Sequence, residues 1–355
     1  MSVEEQVRQR IAMLRFLMIF GIVVLHVPPF VPFAALANEP FALTKAFFQL
    51  AVFRCTVPVL TMISGYLLFR SALDQDWAGL VRKKSKTILV PFLFFNLSLL
   101  AVAVGLYYGA GLALSNDIPP ATPRDWLDAA FGLTGSPINY PLNFLRDLLV
   151  LMLLAPLFGW FLRRAPWIGL VLVLGVFMNN VDGALLLRDV MAPVFYVGGL
   201  AAVRRWNLTA FDRFAWPCLL AFLAVCIWIV TFRVANTNYL RLVAPFLIWP
   251  AAALLVPTMA GRWLARMSPY SFFIFVAHAP VLLGTWIVFK PFAGVLPYPL
   301  YWVLAPVVVV AMLVLAYRVA VQLAPRLFGT VLGTKIVADT QRVTVQNPAQ
   351  TTSAS

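Results

Sequence analysis

Only two histidines occur in 355 residues, and both fall within apolar runs, His26 near the end of "LRFLMIFGIVVLHV" (14–27) and His278 inside "YSFFIFVAHAPVL" (270–282). Histidine is the side chain whose unperturbed pKa lies closest to neutrality, so a positioned imidazole suits proton removal from a hydroxyl. Arg15 precedes His26 by eleven positions. On a helix that is three turns plus roughly 20°, so the two share a face about 16 Å apart along the axis. Arg54 and the pair Arg146–Asp147 are also embedded in apolar sequence, and charge placed in lipid is costly enough to mark functional candidates. Asn143 lies three and four residues before that pair, where it neighbours either on a helix surface. Each candidate also has a structural reading: Arg15 as a snorkelling anchor, the histidines as interhelical hydrogen-bonding groups, Arg146–Asp147 as a local ion pair or a partner of Arg54.

The elements that must position these residues follow from composition. The chain is 62% hydrophobic and 11% charged, which points to an all-α polytopic transmembrane bundle. A span needs about 20 apolar residues, and ten are placed near 13–34, 44–69, 87–109, 143–162, 166–181, 190–203, 214–232, 241–260, 270–289 and 300–322. Ser64 and Gly65 read as small packing residues on the second. The longest outer loop, near 110–142, carries a short amphipathic piece at Trp126 to Phe131 and reads equally as a lid or a connector. One membrane domain over 1–327 is expected, followed by a disordered cytoplasmic tail over 328–355.

The net charge of +14 follows the membrane rather than suggesting nucleic acid. With the N-terminus cytoplasmic, eighteen of the 27 Lys and Arg lie at inner ends and six at outer ones, the other three being Arg15, Arg54 and Arg146. That bias places both termini in the cytoplasm. The basic start, apolar run and "ALA" at 35–37 imitate a signal peptide, but His26, Pro28 and Pro29 interrupt the run. No zinc spacing, glycine-rich phosphate loop or nucleophile elbow appears, and no metal site is expected.

Five stretches in order resemble acyltransferase family three, integral membrane enzymes that O-acylate bacterial surface carbohydrates. They are the Arg15 to His26 spacing, "VPVLTMISGYLLF" (57–69), "RKKSKTILVPF" (82–92), "PLNFLRDLLVLMLLAPL" (141–157) and "YSFFIFVAHAPVL" (270–282). Asn143 stands where relatives commonly have tryptophan, and the basic run is lysine-rich where Arg-x-x-Arg is common. The resemblance implies a multi-pass protein of the bacterial inner membrane that moves an acyl group from cytoplasmic acyl-CoA to a hydroxyl of a surface or exported glycan, or of a lipid-linked saccharide.

On that basis His26, Arg15 and His278 are the catalytic candidates, and Arg54, Asn143, Arg146 and Asp147 the acceptor-binding ones. Arg82, Lys83, Lys84 and Lys86 are the candidate donor site, a cluster that also reads as a plain topogenic signal. Acetyl is the leading acyl group, giving acetyl-CoA as co-substrate with no further cofactor. Succinyl is the runner-up, since an extra carboxylate would favour a spare cation such as Arg54. Membrane lipids and polysaccharide synthesis or export machinery are the expected partners. A polysaccharide or lipid-linked sugar exporter is the rival reading, because intramembrane Arg, Asp and His also mark substrate paths. A non-catalytic assembly partner is the third, and it leaves the Arg15–His26 alignment unexplained.

Overall fold

The computed structural model describes residues 2–112, 119–181, 183, 185–334, 336–337 and 344–345. Its first helix, α1 (Val3–Leu25), starts at a capping box in which Ser2 and Glu5 satisfy each other's backbone N–H groups. It is buried around most of its circumference, as a central helix must be. It ends with His26 as its C-cap, just before Pro28 and Pro29, which have no N–H to continue the ladder. The span expected at 13–34 therefore lies earlier and stops short, and that stop puts His26 at a helix end.

Around α1 stand α2 (Pro40–Arg70), α3 (Trp77–Ala110), a short α4 (Pro123–Phe131) and the bent pair α5 (Tyr140–Leu153) and α6 (Ala155–Arg164). These are followed by α7 (Pro166–Asn179), α8 (Met191–Val203), α9 (Asp212–Thr231), α10 (Asn238–Leu254), α11 (Met259–Phe292) and α12 (Tyr298–Leu323). Among the described residues, five helices are long and apolar enough to cross a membrane: α2, α3, α9, α11 and α12, with α5 and α6 together a sixth. The remaining expected spans coincide with α1 and the shorter apolar helices α7, α8 and α10. The expected span at 143–162 is broken by 54° between Leu153 and Ala155. Pro156 cannot donate to the preceding turn, so the bend falls there.

Packing is closest where side chains are absent. A Cβ on Gly65 would lie 2.2 Å from the Phe195 carbonyl oxygen, and one on Gly198 would lie 2.1 Å from that of Met62. The backbones of α2 and α8 thus touch across a two-glycine contact, as small residues permit in a membrane bundle.

The two ends of the bundle are tied separately. At the end carrying most of the basic residues, the fully buried Arg10 makes a bidentate pair with Asp212, at 2.8 and 2.6 Å, and lies over the Trp249 ring. Arg70 pairs with Glu4 at 2.8 Å, and Arg163 with the buried Asp74. A last helix, α13 (Pro325–Val331), continues past the boundary expected at 327. Beyond it Gly333, at φ +64°, turns against the Lys86 carbonyl, where a Cβ would not fit. Two residue pairs further on, Ile336–Val337 and Thr344–Val345, form an antiparallel bridge; the rest of the tail lies outside the described residues.

Candidate active site

His26 sits at the opposite end of α1, and its position is fixed by groups borrowed from other helices. A helix C-terminus leaves carbonyls without partners. Here the buried Gln49 of α2 donates through Nε2 to the carbonyls of Val24 (2.9 Å) and Val27 (3.0 Å), on either side of the histidine. Lys45 donates to the Pro29 carbonyl at 2.6 Å and Tyr298 to that of Pro28 at 3.0 Å, so the following turn is held as well.

The two histidines meet. His26 Nδ1 lies 2.9 Å from His278 Nε2, with the rings stacked at 17°. His278 Nδ1 is 2.6 Å from the carbonyl oxygen of Phe275. A carbonyl only accepts, so His278 carries its proton on Nδ1 and its Nε2 accepts from His26 Nδ1–H. The neutral pair therefore leaves His26 Nε2 with a free lone pair. That is the tautomer a general base requires.

His278 lies on α11 two residues before Pro280, which cannot donate to the Val276 carbonyl. Asn139 supplies the missing donor through Nδ2 at 3.3 Å. The Asn139 N–H in turn donates to Asn96 Oδ1 (2.9 Å), and the fully buried Asn96 caps the end of α4 at the carbonyls of Ala129 and Ala130 (2.8 and 2.7 Å). Asparagines thus join α3, α4 and α11. A cavity of about 810 Å³ is lined by His26, Asp125, Asp128, Ser136, Asn139 and Tyr140. The Tyr140 ring meets His26 edge-on at 4.9 Å. The part of the 110–142 loop that forms α4 and the turn after it is therefore a wall of the histidine cavity; residues 113–118 lie outside the described ones.

A second, smaller cavity of about 70 Å³ also touches His26 and is lined by Arg54, Arg188 and Arg241. Arg54 lies over the Phe30 ring, and Arg241 donates to Asn238 at 3.3 Å. The sequence singles out Arg54 but leaves Arg188 and Arg241 among the outer-loop charges, because their approach to His26 is purely tertiary. Gln49, Asn96, Asn139 and Tyr140 carry no sequence signal either.

The other expected residues occupy two regions. Arg146 donates to the carbonyls of Gly132 (3.0 Å), Leu133 (3.1 Å) and Leu185 and to Asp147 Oδ1 (2.9 Å), which fastens two loops together. The fully buried Asp147 also accepts from the Leu187 N–H at 3.1 Å, and Asn143 donates to Ser136 at 2.8 Å. These three support the cavity walls, with Asp147 in electrostatic reach of Arg188. Arg15 lies about three turns from His26 along α1. It is in electrostatic reach of Lys84, so the basic run and Arg15 form one charged region, with Arg82 and Lys86 on its exposed side.

A multi-helix apolar bundle with a hydrogen-bonded histidine pair at a polar cavity is a membrane protein that holds an imidazole where a bound molecule could reach it. The chain belongs to the family described as an acyltransferase domain, which matches residues 8–320. It is 33% identical to the succinoglycan biosynthesis protein ExoH of Rhizobium meliloti (strain 1021), over 97% of this chain and 96% of that one. No solved structure matches it. It is thus a multi-pass membrane O-acyltransferase by family.

Proposed function

We propose that this protein transfers an acyl group from cytoplasmic acyl-CoA to a hydroxyl of a surface or exported polysaccharide, or of its lipid-linked precursor, at the bacterial inner membrane. The observation that carries this reading is the His26–His278 pair, whose tautomers leave His26 Nε2 free at a cavity of saccharide size. The acceptor hydroxyl gives its proton to His26 Nε2 as its oxygen attacks the thioester carbonyl. A C–O bond forms, the C–S bond breaks, and the proton passes on to the departing thiolate. His278 Nε2, accepting from His26 Nδ1–H, steadies the transient imidazolium.

The donor enters from the basic end, where Arg82, Lys83, Lys84 and Lys86 face its phosphates and Arg15 extends that charge inward. Asp125, Asp128, Ser136 and Asn139 offer the hydrogen-bonding groups that a sugar needs. Acyl transfer is favoured over export because it uses the histidine pair in the chemistry that the family's description names. Membranes containing the protein should release free thiol from acyl-CoA when the acceptor glycan is present. Mass spectrometry of surface glycans from a deletion strain should show an acyl substituent missing, and an unchanged pattern would overturn the reading.

A further inference from the structure

The side of α1 that faces away from Arg15 and His26 carries a groove that the reaction leaves unused. At about 100° per residue, Phe16, Leu17 and Phe20 lie roughly 100°, 200° and 140° around the helix from Arg15, whereas His26 is within roughly 20° of it. These three residues, with Trp263 of α11 and Val310 and Leu315 of α12, line a groove of about 600 Å³. Phe16 and Val310 are buried at its floor, and Trp263, Val307 and Leu315 are exposed at its rim. Phe16 meets the Trp263 ring edge-on at 5.7 Å, which fixes the wall between α1 and α11. Among the described residues, every group lining the groove is apolar or aromatic except Arg318.

Shape and charge together name the occupant. From Val307 to Arg318 the α12 wall runs eleven residues, about 16 Å, which is about half of a hydrocarbon core of about 30 Å. A groove of that length matches the acyl chain of one leaflet, and a sugar would find almost no hydrogen-bonding group along its walls. Its one cation stands at the end. Arg318 is exposed, lies over the Tyr270 ring at 5.7 Å and donates through Nε to the Tyr270 hydroxyl at 3.3 Å. That contact aims the guanidinium and leaves its two terminal amino groups to meet a ligand; among the described residues no carboxylate lies within 4.0 Å of it. Arg266, also exposed, follows Trp263 by three residues on α11 and adds positive charge beside the groove. Trp263 and Tyr270 are the amphipathic rings expected at headgroup level. An apolar slot that ends in an unpaired guanidinium complements a molecule with a hydrocarbon chain and an anionic head.

We infer that this groove binds an anionic phospholipid of the adjoining leaflet, one acyl chain lying against α1 between α11 and α12 and the phosphate meeting Arg318. The lipid is a structural ligand and no bond is made or broken. It fills the space behind α1, where an empty groove would forfeit dispersion contacts, and so supports the helix that carries Arg15 and His26 from the side opposite to them. This site stands independently of the acyl-transfer reading.

The test uses the full chain purified in detergent, with bound lipid counted by native mass spectrometry alongside the thermal midpoint. Dioleoyl phosphatidylglycerol should be retained and should raise the midpoint, because a ligand of the folded state stabilises it. Dioleoyl phosphatidylcholine, with the same chains and no net charge, should bind about fivefold more weakly, the scale of one cation beside an anionic headgroup. Arg318→Gln should remove that preference and Arg318→Lys should keep most of it. Ala311→Phe, which fills the groove from α12, should lower retention of both lipids. Inorganic phosphate alone should leave the midpoint unchanged. Equal retention of the two lipids by the wild type, a preference that survives Arg318→Gln, or retention unaffected by Ala311→Phe would overturn the site. So would a midpoint raised as much by free phosphate, which would leave an anion site without a chain, or displacement of the lipid by acetyl-CoA, which would make the groove part of a donor path. A dimer that Ala311→Phe breaks and lipid does not would reassign the face to a second copy of this chain, and also overturn it. If the variants do not accumulate, the wild-type comparison of the two lipids and phosphate decides alone.

Discussion

At the scale of single residues, the two histidines have unequal roles despite their contact. His26 lines the cavity and keeps the free nitrogen, whereas His278 is fully buried and held by the Phe275 carbonyl. His26→Ala should cut acyl transfer by roughly 10²- to 10⁴-fold, the range for a positioned general base, at near-normal protein level. His278→Ala should cost less, and ¹⁵N-histidine spectra should then show His26 losing its fixed Nδ1–H tautomer. A transient acyl-histidine is the competing route. Rapid mixing with radiolabelled donor and no acceptor separates the two, since label left on the protein would replace the general-base step. Most activity surviving in His26→Ala would pass the role of base to His278. Both histidines were legible as candidates because ionisable groups are rare in apolar sequence; their pairing across 252 positions was not. Arg188 and Arg241 were hidden for the opposite reason: arginine in an outer loop is ordinary, and only the return of three separate segments to one cavity makes it unusual.

At the scale of elements, the site depends on how α1 ends and on how closely its neighbours approach. Gln49→Leu would leave the Val27 carbonyl without its side-chain donor and the Val24 carbonyl with only backbone N–H groups of the last turn, at a cost of about 1–3 kcal/mol. Because those carbonyls flank His26, the rate should fall together with the thermal midpoint, and a variant as active as wild type would refute the positioning role. Gly65→Val tests packing instead. Its side chain would meet the Phe195 backbone, which cannot retreat as a flexible side chain could, and overpacking of this kind costs about 1–3 kcal/mol. Ser64→Ala is the control, since among the described residues Ser64 bonds only to the Leu60 carbonyl of its own helix. Thermal unfolding in detergent should separate the two variants. The helices themselves were readable from hydropathy, and Gly65 of the second was readable as packing. The early stop of α1, the bend near Pro156 and the wall built by α4 were less so, because each is decided by which backbone groups find partners in another element.

At the scale of the whole molecule, the separately tied ends give the bundle a direction. Glu4 with Arg70, Arg10 with Asp212 and Asp74 with Arg163 gather at the end opposite His26, and all six lie in segments that the charge count assigns to the cytoplasm. If that assignment holds, acyl-CoA meets the Arg15–Lys84 region first and the acceptor meets His26 from the outer side. Reporter fusions after Arg164, Arg205 and Arg266 should then score as cytoplasmic, and fusions near Pro120 and Pro291 as external. Two or more inverted results would reverse the orientation and with it the donor path. The same direction makes a binding prediction for the basic cluster. Replacing Lys83, Lys84 and Lys86 together with glutamine should weaken acyl-CoA binding, and the difference from wild type should shrink at high salt by the share that the exposed Lys86 contributes, because an exposed charge acts on phosphates through screened Coulomb attraction. The inserted protein level should stay near normal, since basic residues at the other inner ends still set topology. Unchanged donor affinity at both low and high salt would leave the cluster with topology alone, and Arg15 would then have to meet the donor by itself.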